Sequence, residues 1–158
     1  MDITSTLSLA DLSETLAVCF TFGGAQTSDI GTTFKLASVM RAAKKLREEH
    51  FGPESPFEVA RRVLVDKHTK TIEGNPEARD FKSFSDNEAF KKAERELLKQ
   101  QVTATIPGLT REDLQKLKLF DNEDGKKVRV EITPMQLDAI VWLVQDGDSD
   151  VPKSRAKK

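Results

Sequence analysis

The sequence predicts an α+β fold: a helical hairpin plus further helices packed with a small, mainly antiparallel sheet. Three observations carry that expectation. Apolar residues recur at helical spacing in Leu36, Val39, Met40, Ala43 and Leu46, and again in Phe57, Ala60, Val63 and Leu64. Between them, Phe51-Gly52-Pro53 stops one helix and Ser55-Pro56-Phe57-Glu58 starts the next. The apolar period then falls to two at Val102, Ala104 and Ile106, and again at Val128, Val130 and Ile132.

Each element follows from local chemistry. Ser8 caps a helix whose face is Leu9, Leu12, Leu16 and Cys19, with Asp11 near its positive end. Val18, Phe20 and Phe22 alternate, so that helix is expected to turn strand-like at its end. Gly23-Gly24 and the polar run Gln26 to Thr33 predict a loop before the hairpin. Lys67 to Arg79 is polar and holds Gly74-Asn75-Pro76, which predicts a mobile loop. Ser85-Asp86-Asn87-Glu88 reads as a capping box opening a helix to about Gln101. Phe90, Ala93, Leu97 and Leu98 are its inner face. After the strand at Val102, Pro107-Gly108 turns the chain and Thr110 caps a brief helical turn. Leu117 and Leu119 open a second strand, and Asp121 to Gly125 form a turn. Thr133-Pro134-Met135-Gln136 is the cleanest helix start: cap, proline at the first position, glutamine at the third. The helix it opens is expected to reach Val144, apolar around most of its circumference. Its Leu137, Ile140, Val141 and Val144 are expected against Leu36, Met40, Ala60 or Leu64.

A chain of 158 residues fits one domain, placed at 1–145, with a polar and disordered tail at 146–158. No apolar run approaches the ~20 residues that span a membrane. The start Met1-Asp2-Ile3-Thr4 lacks the basic region of a secretory signal, and the sole cysteine, Cys19, has no internal partner. The expected location is therefore a cytosol, or a particle assembled in one.

A net charge of −1 conceals an uneven distribution. Met1 to Phe34 holds no Lys or Arg, whereas Lys35, Arg41, Lys44, Lys45 and Arg47 lie in a stretch without an acid. The candidate partner-binding residues are Arg41, Lys44, Lys45, Arg47, Arg61 and Arg62, as points of attachment for an acidic protein surface. The alternative is a nucleic-acid-binding accessory protein whose basic helix around Arg41–Arg47 tracks phosphates. The aromatics sit at helix-core spacings instead of forming a stacking platform, which favours the protein partner.

Catalytic inventory is thin, so no enzyme activity and no cofactor are expected. Cys19 lies in an apolar stretch, where a buried thiol is inert. His50 and His68 end helices, where the dipole favours them, and neither has a Cys or His companion at zinc-ligand spacing. Asp146-Gly147-Asp148-Ser149-Asp150 begins like a calcium loop, but Val151 and Lys157 stand where that loop needs glycine and glutamate. Gly23-Gly24 is too short for a phosphate loop.

The order of elements from Leu7 to Val144 resembles a family of small tailed-bacteriophage proteins of unassigned function. The features that carry it are the N-terminal leucine helix, Phe34-Lys35-Leu36-Ala37, and the Arg-Arg-x-Leu-x-x-Lys-His pattern within Phe57 to His68. Gly74-Asn75, the Glu-Leu-Leu ending of Phe90 to Leu98, and Thr133-Pro134-Met135-Gln136-Leu137 complete it. The stretch Gly23 to Thr33 and the basic tail depart from that pattern. The family carries no known active site. The resemblance implies a non-enzymatic protein–protein interaction role, as a virion component, an assembly factor or a host-interaction factor. It places the protein in the host cytoplasm or the virion.

Overall fold

A computed structural model describes residues 1–145 of the chain; the expected tail 146–158, with its calcium-loop-like start, lies outside the described residues. The architecture is α+β. The described chain forms two compact units, one built from Met1–Leu46 together with the chain from Gln101 onward, the other from Arg47–Gln100. The expectation of one domain over 1–145 stands beside this division.

The first unit opens with a strand the sequence did not announce, β1 (Asp2–Ser8), followed directly by α1 (Leu9–Thr21). Ser8 ends the strand and caps the helix, its hydroxyl accepting from the Asp11 N–H at 3.1 Å. Helix continues to Thr21 and a 3-10 turn follows at Phe22–Gly24, so the expected strand-like ending is corrected. Val18 and Phe22 alternate by sequence yet are four apart, one helical turn, and both are buried. β1 pairs antiparallel with β4 (Gln101–Pro107), Ile3 opposite Ile106 and Leu7 opposite Val102. Ser5, Leu7, Ala104 and Ile106 face inward, and Thr4, Thr6, Thr103 and Thr105 face outward.

In the same unit, α5 (Arg111–Gln115) precedes the hairpin β5 (Leu119–Glu123) and β6 (Lys126–Val130). The Asp124-Gly125 turn takes positive φ at both residues, 51° and 78°, as a tight hairpin requires. The Thr133 capping box is present: the Gln136 N–H donates to Thr133 Oγ1 at 3.2 Å and the Thr133 N–H to Gln136 Oε1 at 2.9 Å. It opens α6 (Pro134–Ile140), which gives way at Val141–Leu143 to a 3-10 turn. This shortens the helix expected to reach Val144. Its packing partner is also corrected, because α6 lies against α1. The Thr15 hydroxyl donates to the Ala139 carbonyl at 2.7 Å and accepts from Trp142 Nε1 at 3.2 Å. Ile140 and Leu143 are fully buried, whereas Leu137 is 43% exposed and Val141 and Val144 are half-buried. The expected partners Ala60 and Leu64 belong to the other unit.

The second unit contains α3 (Pro56–His68), the strands β2 (Thr69–Ile72) and β3 (Asn75–Phe81), and α4 (Phe84–Leu98). The expected loop at Lys67–Arg79 is therefore a hairpin. Its strands are largely exposed, so they carry no alternating apolar signal. Arg79 fixes the register, its Nε donating to Thr69 Oγ1 at 2.7 Å. The start of α4 is also corrected: Ser83 caps it, accepting from the Asp86 N–H at 3.1 Å. In α3, Phe57, Arg61, Leu64 and His68 form the packed stripe, and Val63, expected inside, is 63% exposed. Two polar residues hold inner positions because α4 supplies partners. Arg61 Nε donates to Glu94 at 2.8 Å with its guanidinium over the Phe90 ring, and His68 Nδ1 meets Asp86 Oδ1 at 2.9 Å.

Candidate partner-binding face

The long helix α2 runs Ile30–Phe51, three residues earlier at its start than the expected Thr33. Asp29 makes the early start. Its carboxylate accepts from the Thr32 N–H at 2.9 Å and its carbonyl from the Thr33 N–H at 3.0 Å. The hydrogen bond from Lys116, then that from the Thr32 N–H, hold the Asp29 carboxyl at about 2, well below its ordinary value.

Thr32, Leu36, Val39, Ala43 and Leu46 form the buried stripe of this helix. The opposite stripe is set by the 3.6-residue period: Ile30, Phe34, Arg41, Lys44 and Lys45. All five are exposed, Ile30 and Phe34 each at 71%. From Ile30 to Lys45 the face runs about 22 Å at 1.5 Å per residue. It begins apolar and ends basic. Arg41 donates to Ser38 Oγ at 3.1 Å, one turn back, which leaves its charge on this face.

An anchor holds the buried side of the helix start. Asp113, the third residue of α5, closes the capping box with Thr110 and is buried; it accepts from Lys35 Nζ at 2.9 Å, the Thr32 hydroxyl at 3.1 Å and the Thr110 N–H at 3.0 Å. Desolvation works to raise its carboxyl, and the donors, led by the Thr110 N–H, outweigh it and leave it below its usual range. Lys116 spans Asp29 at 2.7 Å and Glu112 at 3.3 Å, which raises its own value. Lys35 and Lys116 are thus committed to structure, and Arg41, Lys44 and Lys45 carry the outward charge.

The other three sequence candidates lie in the second unit. Arg47 is exposed. Arg61 is held by Glu94 and Phe90 in the α3–α4 seam, and Arg62 donates to the Pro53 carbonyl. Sequence reasoning missed Ile30 and Phe34 because it placed the first in a loop and gave the second no face. The signal was present: the spacing of four between them continues outward to Arg41 and Lys45.

Cys19, His68, Asp86 and Ser83 are tied into structure, whereas His50 Nε2 is buried without a hydrogen-bond partner among the described residues. Burial pushes the Cys19 thiol up to about 12, outside the range of a nucleophile at neutral pH. Asp86 joins His68 to Ser83, whose hydroxyl donates to Asp86 Oδ2 at 2.8 Å. The His68 hydrogen bond is the chief cause of the lowered Asp86 carboxyl. That serine sits on the carboxylate and not on the imidazole, so this trio lacks the contact that activates a hydroxyl. Among the described residues no cluster of His, Cys, Asp and Glu has the arrangement of a metal site, and no helix is long and apolar enough to cross a membrane. No family model, curated protein or solved structure matches the chain.

Proposed function

We propose that this chain is a non-enzymatic protein–protein interaction module of a tailed bacteriophage, acting in the virion, in its assembly or in the infected host. The supporting observation is the outward face of α2, where exposed Ile30 and Phe34 precede Arg41, Lys44 and Lys45 on one stripe. Two exposed apolar side chains one turn apart offer an anchor that gains by desolvation. The three cations beyond them select an acidic partner surface and accelerate encounter with it. The phage assignment draws on the family resemblance alone.

A tagged chain used as bait in infected cells, with mass spectrometry of the captured proteins and of purified particles, tests this reading. One acidic phage or host protein is expected, and a Phe34→Ser, Arg41→Glu double variant is expected to lose it. Nucleic acid is the competing outcome. Sub-micromolar affinity for DNA or RNA at about 150 mM salt, abolished by Arg41→Glu with Lys44→Glu, would replace the protein partner with a phosphate backbone.

A further inference from the structure

The outer edge of β1 is an unpaired strand edge with little charge to protect it. The ladder parity is fixed by three observations. The Gly108 N–H donates to the Met1 carbonyl at 2.9 Å. Pro107, which has no N–H, stands opposite Asp2. Thr4 and Thr105 bring their hydroxyls to 2.8 Å, the close approach of a non-hydrogen-bonded pair. Odd residues of β1 therefore bond to β4, and the N–H and C=O groups of Asp2, Thr4 and Thr6 point away from it. Among the described residues those groups meet no strand, because the sheet is β1–β4 alone. The two hairpins guard their edges with charge: Lys70, Arg79 and Asp80 in one, Asp121, Lys127 and Arg129 in the other. β1 has no lysine, proline, glycine or bulge, and its single charge is Asp2 at the end. The far edge of β4 ends on Pro107, and just past the strand Leu109 bonds to Leu143 and Gln145.

Two further features concern Ser5. Its hydroxyl is buried and has no hydrogen-bond partner. It also lines a cleft of about 340 Å³ with Thr6, Leu7, Ser8, Asp11, Gln101 and Trp142. The strand reads Asp-Ile-Thr-Ser-Thr-Leu-Ser, nearly the same in both directions about that serine.

We infer that β1 pairs antiparallel with β1 of a second copy of this chain, about a two-fold axis through Ser5. This register sets Thr4 opposite Thr6 of the other copy, Ile3 opposite Leu7 and Asp2 opposite Ser8. Even residues then supply the hydrogen bonds, and they are the ones whose groups point outward. Ser5 falls in a non-hydrogen-bonded pair with Ser5 of the other copy, directly across the two-fold axis. Ile3 of the second copy sits beside Leu7 at the cleft. Each Asp2 faces a neutral serine directly, and Asp11 of that copy is the one charged residue lining the cleft beside it. The result is a four-stranded sheet with an isologous interface.

Sedimentation of the full chain from micromolar to millimolar concentration tests the pairing. A monomer–dimer equilibrium is expected, and Thr4→Pro, which removes an outward N–H from each copy and no backbone bond of the β1–β4 ladder, should weaken it by about tenfold. Should Thr4→Pro fail to fold by circular dichroism, cysteine cross-linking decides. Ser5→Cys should form an interchain disulfide under mild oxidation, whereas Asp2→Cys, about 20 Å from its own copy in this register, should not. A monomer at every concentration overturns the proposal. So does a dimer in which a folded Thr4→Pro variant pairs undiminished, or in which Ser5→Cys and Asp2→Cys cross-link equally.

Discussion

Ile140 shows how much one side chain can carry. It is 0% exposed and sits where α6 meets α1, beside the Thr15 bonds to Ala139 and Trp142. Ile140→Ala is expected to cost roughly 2–5 kcal/mol in a denaturant titration, the range for a buried branched side chain whose site cannot collapse. Phe34 is the counter-case on the molecular surface. Phe34→Ser should change stability by less than about 0.5 kcal/mol, since at 71% exposure it fills no core, while it removes the apolar anchor of the proposed binding face. A Phe34→Ser chain that unfolds at markedly lower denaturant would show that this ring supports the fold and is not held out for a partner. At this scale the sequence was readable where a residue answers only to its neighbours. Thr133 and Gln136 bond reciprocally across three residues, so their roles follow from the local string. Arg61 and His68 were not readable, because Glu94 and Asp86, which allow them inside, are 33 and 18 residues away.

Among the elements, the start of α4 makes a direct test. Ser83-Phe84-Ser85-Asp86 and Ser85-Asp86-Asn87-Glu88 are both capping signatures, offset by two residues, and local chemistry scores them alike. The choice is made from outside the helix. Asp86 must hold His68, and Ser83 both caps the helix and donates to that carboxylate. Ser83→Ala should therefore destabilise by about 1 kcal/mol, within the range for a lost cap, and Ser85→Ala should be close to neutral. The reverse order in thermal denaturation would restore the cap at Ser85. The hairpin β2–β3 was hidden for a different reason: its strands are wet on both faces, and alternation marks only a strand with one dry side. β1 was hidden because its pairing partner lies a hundred or so residues on, and a seven-residue strand shows itself chiefly through its pair. For α2 the buried stripe was legible from Leu36 to Leu46, but its first member Thr32 and its outward apolar pair depended on the start at Asp29, which Lys116 secures from a distant element.

At the level of the whole molecule, lowered carboxyls occur in both units: Asp29 and Asp113 in one, Asp86 and Glu96 in the other. A carboxyl that titrates lower when folded than when unfolded contributes its full stabilisation above its unfolded value. That contribution is lost as pH falls through the folded value. The denaturant midpoint should therefore hold steady from neutral pH to about 5, then fall between about 4 and 2 as these groups protonate. Asp29→Asn should remove part of that acid slope, since Asp29 titrates at about 2 when folded. A midpoint indifferent to pH down to 2 would mean that these ion pairs do not exist in solution. The α+β class and the helical hairpin were legible because each rests on periodicity within a single segment. The division into two units was not, because it depends on which distant segments meet, and one-dimensional patterning does not encode that.

The pairing of β1 with β4 has a consequence for synthesis. Its bonded threonines stand 101 and 97 residues apart, with the whole of Arg47–Gln100 between them. At about 5–20 residues per second, a ribosome needs roughly 5–20 s to make the 97 to 101 residues that separate the paired threonines. Through that interval β1 is outside the exit tunnel without its partner, followed by the leucine face of α1, while the intervening unit is contiguous and can close as it emerges. The chain thus completes its middle before its beginning. The nascent protein spends those seconds with a strand whose single charge is Asp2 exposed on polysomes, side by side with other copies of itself.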